Sequence, residues 1–226
     1  QADVTKADDG HLLRQYGHAL LLACFIAFRA ARQALRTRTR PRIVLFPMTA
    51  LDIFHSLIAI FACYGVFQWG VTKWPEDEKR VAMYCWAAHV LGAFAIMAVY
   101  QFYYGWGDML SYFNLGRSFA RFVEYDPFRH FPELINLLLQ RETDLPIVTN
   151  GIGSSTGSMV ALGGIMGLIT NSSWAGSVII STCSAGGQAC LWRGVRALVP
   201  PERQKQALFS VMLVPSVVFW SSSLLK

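Results

Sequence analysis

The residues with the clearest capacity for chemistry lie in segment 103–121, which reads YYGWGDMLSYFNLGRSFAR. Asp108 follows a long apolar run, and Tyr112 and Gly116 come after it at intervals of four residues. Residues four apart share one face of a helix, so these three side chains should lie above one another. The aspartate could cap that helix by accepting backbone N–H bonds at its positive end. It could equally act as a base or hold a cation at a membrane surface.

Two arginines follow on the same predicted helix, Arg117 and Arg121. A guanidinium group pairs well with a phosphate, so both are candidates for binding a lipid-linked phosphate. Long basic side chains also extend towards lipid headgroups from the ends of apolar helices, and this alternative fits them as well.

A second pair of ionisable residues lies within the apolar run 43–71. Asp52 and His55 are three residues apart, so a helix would place them on one face. Ionisable residues inside a membrane span are functional candidates, for example in a transport path. They could instead bond to each other or to a neighbouring helix. His89, alone in the next apolar run, fits a hydrogen-bonded core histidine better than a ligand.

Small residues recur at four-residue spacing in segment 151–167. Gly153 and Gly157 form one such series and Gly163 and Gly167 another. This spacing is typical of helices that pack closely, either within one chain or between subunits. A nucleotide-binding P-loop is excluded because no GK[ST] follows the glycines and no strand precedes them.

The composition indicates that these segments belong to an integral membrane protein. The 226 residues are 54% hydrophobic and 15% charged, whereas soluble domains carry about 25% charged residues. The net charge is +6, but the arginines lie at the edges of apolar runs, which suits lipid headgroups rather than nucleic acid. The five cysteines lie inside apolar segments without a CxxC pair, so we expect free thiols, with no disulfide framework and no metal site.

The pattern of apolar runs predicts an all-α fold: a polytopic transmembrane helical bundle of about five or six spans with an amphipathic membrane-surface segment. Residues 14–35 could form either a marginal span or an interfacial helix, and the last apolar run, 207–225, contains Pro215 as a predicted kink. Four regions are expected: 1–42, the polar N-terminus, the marginal segment and a basic loop; 43–104, two spans; 105–156, the surface segment with a short helix at 131–141; and 157–226, the glycine-rich and C-terminal spans.

The basic residues also predict a topology. RTRTRPR, residues 36–42, should be cytoplasmic by the positive-inside tendency. Two spans later Asp108 would be cytoplasmic too, and after two more spans so would the basic loop 193–205.

Two stretches resemble a known group of proteins. WGDMLSYFNLGRSFAR, residues 106–121, is similar to the GGDxxxYxxxG motif of bacterial polytopic proteins that resemble GT-C glycosyltransferases and O-antigen polymerases. PSVVFWSSSLLK, residues 215–226, resembles the PSxxFWSSxxxK stretch of the same group. The likeness covers roughly half of the chain, and Trp106 stands where the first glycine of the motif is usual.

This resemblance implies that Asp108 is the catalytic acidic residue and Tyr112 its motif partner. The implied substrate is a polyprenyl-phosphate-linked sugar used in envelope polysaccharide assembly at the bacterial inner membrane. GT-C enzymes keep their acidic site on the side opposite the cytoplasm, in conflict with the charge-based topology above.

Three functions therefore stand at this point: a glycosyltransferase-like or polymerase-like enzyme, a non-catalytic membrane subunit that binds protein partners through its glycine-rich helices, and a transporter or channel component that uses Asp52 and His55. A divalent cation at Asp108 is the one cofactor that the pattern leaves open. The chain starts at Gln1 without a methionine and stops at Lys226 directly after an apolar run, so we expect it to be part of a longer polypeptide.

Overall fold

The computed structural model describes residues 49–105, 107–144, 155–213 and 218, all within the unit Val44–Lys226. Throughout this part the chain is helical and forms no strand, so the all-α prediction is confirmed. The helices are α1, Ala50–Val71; α2, Glu76–Ala98, which continues as a π-helical turn, Val99–Tyr104; α3, Asp108–Tyr125; α4, Pro127–Leu138; α5, Ser155–Thr170; α6, Ser173–Val195; and α7, Gln204–Met212. The short 3-10 turns Arg196–Leu198 and Pro201–Arg203 join α6 to α7.

Two of these helices are long and apolar enough to cross a membrane, α1 with 22 residues and α2 with its π-helical turn, 29 residues in all. α6 has 23 residues, but its serines, threonine and glutamine make it more polar. α5 has 16 residues, short of the roughly 20 that a span needs. The described residues therefore contain two candidate spans, and the expected bundle of five or six is not confirmed. Residues 14–35 and Pro215 lie outside the described residues.

α1 is unusual because its apolar surface is mostly uncovered. Within its most apolar stretch 17% of the residues are buried, compared with 61% for α2. Phe61 is 74% exposed and Trp69 is 78% exposed. A contiguous apolar face of this size indicates a lipid or protein environment rather than water.

The buried side chains form two clusters along the long axis of the fold. The first joins α1, α2, α6 and α7 and includes Trp86, Trp192 and Met212. The second joins the end of α2 and the start of α6 to α3, α4 and α5, and it includes Phe119 and Leu134. Helices α3 and α4 thus belong to the second cluster, and α2 and α6 contribute to both clusters.

Three contacts fix the directions of the long helices. At one end, Arg196, just after α6, pairs with Glu78 at the start of α2, with 3.0 Å between nitrogen and oxygen. At the other end, the Ser172 hydroxyl, just before α6, donates to Asp52 at the start of α1, at 2.7 Å. Trp174 at the start of α6 donates to Gln101 near the end of α2, at 3.0 Å. α1 and α6 therefore run in the same direction, and α2 runs in the opposite one.

These directions place Asp108 and the loop after α6 at opposite ends of the described helices. The chain leaves α2 at Tyr104 and enters α6 at Ser173 at the same end, because α3, α4 and α5 fold back on one another without a net crossing. Asp108 and Arg196 therefore lie at opposite ends of α2, roughly 40 Å apart at a rise of 1.5 Å per residue. The prediction that Asp108 and loop 193–205 share one side of a membrane depends on counting α5 as a span, and α5 has only 16 residues.

The helix boundaries around α4 and α6 follow local signals. Asp126 caps α4 by accepting a hydrogen bond from the Arg129 backbone N–H at 3.2 Å, and Pro127 is the first helical residue. α4 therefore begins four residues earlier than the predicted helix 131–141. α5 ends at Thr170 and α6 starts at Ser173, so a break of two residues separates these apolar helices.

Candidate functional site

A tight turn built on two glycines positions Asp108. The π-helical end of α2 closes with the Gly105 N–H donating to the Tyr100 carbonyl at 2.9 Å. Gly105 has φ +71° and Gly107 has φ +149°, conformations that side chains with a Cβ rarely adopt. Trp106 between them lies outside the described residues. This reversal lets α3 start at Asp108, directly beyond the end of a candidate span.

Asp108 is the first residue of α3, and Gly107 occupies the N-cap position. No side chain caps this helix, so Asp108 does not accept the predicted capping hydrogen bond. The reason is that Asp108 lies one position beyond the N-cap. Its negative charge still lies favourably in the first turn, at the positive end of the helix. The carboxylate is exposed and has no hydrogen-bond partner among the described residues. It is therefore free to contact an external group.

Two tyrosines lie within electrostatic range of this carboxylate, Tyr100 and Tyr112. The Tyr100 ring packs on Gly107, where an added Cβ would lie 2.5 Å from two ring carbons. Tyr112 is 4% exposed and shares a hydrogen bond with the Thr156 side chain at the start of α5. The site thus combines one open carboxylate with a phenol group from the same helix and another from the π-helical end of α2.

The Tyr112 hydroxyl is held in its protonated form. Burial raises its pKa, the charge of Asp108 raises the pKa further, and the Thr156 hydrogen bond acts in the opposite direction. Near neutral pH the phenol therefore keeps its proton and can act as a hydrogen-bond donor.

The two arginines predicted to bind phosphate do not lie beside Asp108. Arg117 is nine residues further along α3, about half a turn around the helix and roughly 13 Å along its axis. Its guanidinium acts instead on the carboxylate of Asp52. Arg121 is exposed one turn further on. A phosphate bound by these arginines would therefore lie too far from Asp108 to be bonded to a sugar held there.

Asp52 and His55 have separate environments. Asp52 lies in the first turn of α1, where it forms a capping box with Thr49 and accepts the Ser172 hydrogen bond. It is therefore at a helix end rather than in the middle of a helix. His55 makes no hydrogen bond to Asp52 and lines an apolar groove of about 370 Å³ between α1, α5 and α6.

The glycines of α5 are used within the chain. An added Cβ on Gly163 would lie 2.5 Å from the Tyr112 carbonyl oxygen, and one on Gly167 would lie 3.3 Å from the Ala120 Cβ. Gly116 of α3 would overlap the backbone of α5 at Gly163 and Gly164. Gly157 is buried near the start of α5, and Gly153 lies outside the described residues. This close crossing holds Tyr112 next to Thr156.

His89 belongs to a buried polar group between α2 and α6. Its Nδ1 lies 2.9 Å from the Cys85 carbonyl oxygen, and the Cys85 thiol donates to Gln188 Oε1 at 3.1 Å. This arrangement is that of a hydrogen-bonded core histidine, as the sequence predicts.

The sequence did not point to Tyr100 or Thr156 as members of the site. Tyr100 was hidden in an aromatic cluster typical of a membrane interface, and Thr156 is far from Asp108 along the chain. Among the described residues, no group of three or more His, Cys, Asp or Glu side chains is placed to hold a metal ion. Comparison with protein families, curated proteins and solved structures gave no match to this chain.

Proposed function

We propose that this chain is a multi-pass protein of the bacterial inner membrane that transfers or polymerises sugars carried on polyprenyl phosphate. The membrane setting is supported by the two candidate spans and by the uncovered apolar face of α1. The chemistry is supported by the resemblance of residues 106–121 and 215–226 to GT-C-like and O-antigen polymerase-like proteins.

One observation carries the catalytic part of the proposal. Asp108 is an exposed carboxylate, without a hydrogen-bond partner among the described residues, directly beyond the end of a candidate span. Lipid-linked sugars present their phosphate and sugar at this depth. The glycine turn and the Tyr100 ring hold the aspartate in place before any substrate arrives, which reduces the entropic cost of reaction.

The proposed reaction is glycosyl transfer with Asp108 as general base. The acceptor hydroxyl attacks the anomeric carbon of the donor sugar, the bond from that carbon to the phosphate oxygen breaks, and the lipid phosphate leaves with the electron pair. Asp108 takes the proton of the hydroxyl as the new glycosidic bond forms. The Tyr112 phenol lies within electrostatic range of the carboxylate and stays protonated, so it adds no second negative charge near the base.

Other residues would bind the lipid phosphate. Arg117 and Arg121 are suited to the phosphate of a second lipid-linked substrate, since they lie too far from Asp108 for the same sugar–phosphate bond. A divalent cation at Asp108 would have to complete its coordination with substrate phosphates and water, as magnesium often does.

The test is Asp108→Asn in cells that depend on this protein for a surface glycan. We expect product to fall by about 10²- to 10⁴-fold, the usual contribution of a general base, while the protein stays in the membrane at its normal level. Asp77→Asn, an exposed aspartate at the opposite end of α2, is the matched control and should leave product unchanged. Normal product from Asp108→Asn would remove the proposal.

The alternative of a non-catalytic subunit is favoured by a different surface. Gly163 and Gly167 are occupied inside the chain, but Gly186, Gly187 and Gly194 of α6 have no atom within 4 Å of an added Cβ. A partner helix could approach there. Gly187→Leu would then release a co-purifying membrane protein, and an unchanged assembly would count against this function.

A further inference from the structure

A cavity lined by basic and aromatic side chains lies at the end of the described helices opposite Asp108, where α1 turns into α2 beside the end of α6. Its volume is about 420 Å³, within the range of about 300–1,000 Å³ typical of small-molecule sites. The residues of its wall that matter here are Trp69, Lys73, Trp74, Glu78, Arg193 and Arg196.

The wall of this cavity is positively charged. It contains three basic side chains and one carboxylate, Glu78. Glu78 is already engaged: it pairs with Arg196 at 3.0 Å and accepts the Trp192 indole N–H at 2.9 Å. Lys73 and Arg193 have no ion-pair partner among the described residues. Two uncompensated positive charges thus face a common space, and an anion is the ligand they suit.

The tryptophans place this cavity at the edge of the membrane. Trp69 ends the apolar face of α1 and is 78% exposed, as expected for an indole at headgroup depth. Trp74 lies in the turn after α1, and its indole N–H is buried without a hydrogen-bond partner among the described residues. Buried donors without partners are rare in folded proteins, so the wall still has hydrogen-bonding capacity to fill.

We propose that this cavity binds the phosphate of an anionic phospholipid, with Lys73 and Arg193 contacting the phosphate oxygens and Trp69 lying beside the glycerol. A lipid is favoured over a soluble phosphate because the cavity adjoins the exposed apolar face of α1, where acyl chains would lie. Arg196, held by Glu78, forms a fixed wall. This inference rests on the proposed membrane setting but does not depend on the sugar chemistry.

The test measures lipid retained by the purified full chain. Protein taken from vesicles of mixed phosphatidylglycerol and phosphatidylcholine is analysed by native mass spectrometry. We expect Lys73→Gln with Arg193→Gln to lower the preference for phosphatidylglycerol by about tenfold or more, because both basic side chains that attract the phosphate are removed. The control, Arg203→Gln with Lys205→Gln, removes the same charge from the same end but outside the cavity wall.

Each other outcome overturns the inference. An equal loss in both double variants would show that the charge of this end acts diffusely, and an unchanged preference in the cavity variant would show that no such site exists. Displacement of the lipid by glycerol 1-phosphate at a concentration comparable to that of phosphatidylglycerol would show that the site takes its anion from water. The Asp108→Asn protein should keep the lipid preference, so failure here and failure of the proposed enzyme can be told apart.

Discussion

At the scale of single residues, two aspartates in first helical turns have different roles. Asp52 is the third residue of α1, and its carboxylate accepts hydrogen bonds from Thr49 and Ser172. Asp108 is the first residue of α3 and makes no such bond in the described structure. Their positions in the helix explain this difference. A side chain at the third helical residue can form reciprocal hydrogen bonds with the N-cap residue, whereas one at the first helical residue does not form this pair. Asp52 is thereby explained by stability, and Asp108 remains the candidate for chemistry.

Asp52→Ala should destabilise the fold by about 1–2 kcal/mol, because it removes half of a capping box and the contact to the turn before α6. The measurement is the unfolding free energy in detergent. Asp77→Ala in the first turn of α2 is the control and should cost less, since no cap bond is lost there. Ion flux in liposomes should be the same for both, and a change specific to Asp52 would revive the transporter hypothesis.

Tyr112 should give a pH signature. Its pKa is raised in the folded state by burial and by Asp108, so the neutral phenol contributes stability that is complete below about pH 10. This contribution is lost as the pH rises through the folded-state pKa. As the pH rises above about 10, wild-type stability should therefore fall more steeply than that of Tyr112→Phe. Tyr84→Phe, at an exposed position, should keep the wild-type slope; identical slopes in all three proteins would contradict this account.

At the scale of elements, the crossing of α3 and α5 decides whether the site exists. Gly116 meets the α5 backbone, and Gly163 meets the α3 backbone, so neither helix has room for a side chain at that point. The crossing brings Thr156 to Tyr112 and therefore completes the surroundings of Asp108. It also explains why the glycine pattern, which fits association between subunits equally well, is used inside this chain.

Gly116→Ala should destabilise the protein by about 1–3 kcal/mol or more, because its Cβ would overlap backbone that cannot move aside. Gly187→Ala is the matched control in a helix with open space and should be neutral or up to about 1 kcal/mol stabilising. Thermal unfolding in detergent measures both. A Gly116→Ala protein as stable as the wild type would mean that the two helices are further apart than described.

At the scale of the whole molecule, α2 and α6 join the two ends of the part of the chain that the structure describes. One end holds Asp108 and the other holds the basic cavity, roughly 40 Å away along α2. That distance is close to the full thickness of a bilayer with its headgroups, about 40–45 Å. The proposed sugar chemistry at Asp108 and the proposed lipid site would therefore lie at opposite surfaces of the membrane.

Labelling of single cysteines should place the two ends on opposite faces of the membrane. With the native cysteines replaced, Ser111→Cys in α3 and Gln206→Cys in α7 are both exposed positions. An impermeant maleimide added to intact cells should modify one of them, and the other should react after the membrane is opened. Modification of both from the same face would contradict the helix directions described here.

The sequence by itself determined the helical class and the apolar segments, because both depend on composition, periodicity or neighbours a few residues apart. It also singled out Asp108, through a motif contained in one short segment. Tertiary structure alone decided that α3, α4 and α5 return the chain to the same end, that Gly116 and Gly163 meet, and that Lys73 and Arg193 face one cavity. Such facts depend on contacts between residues far apart in the chain, and local preferences leave those contacts open.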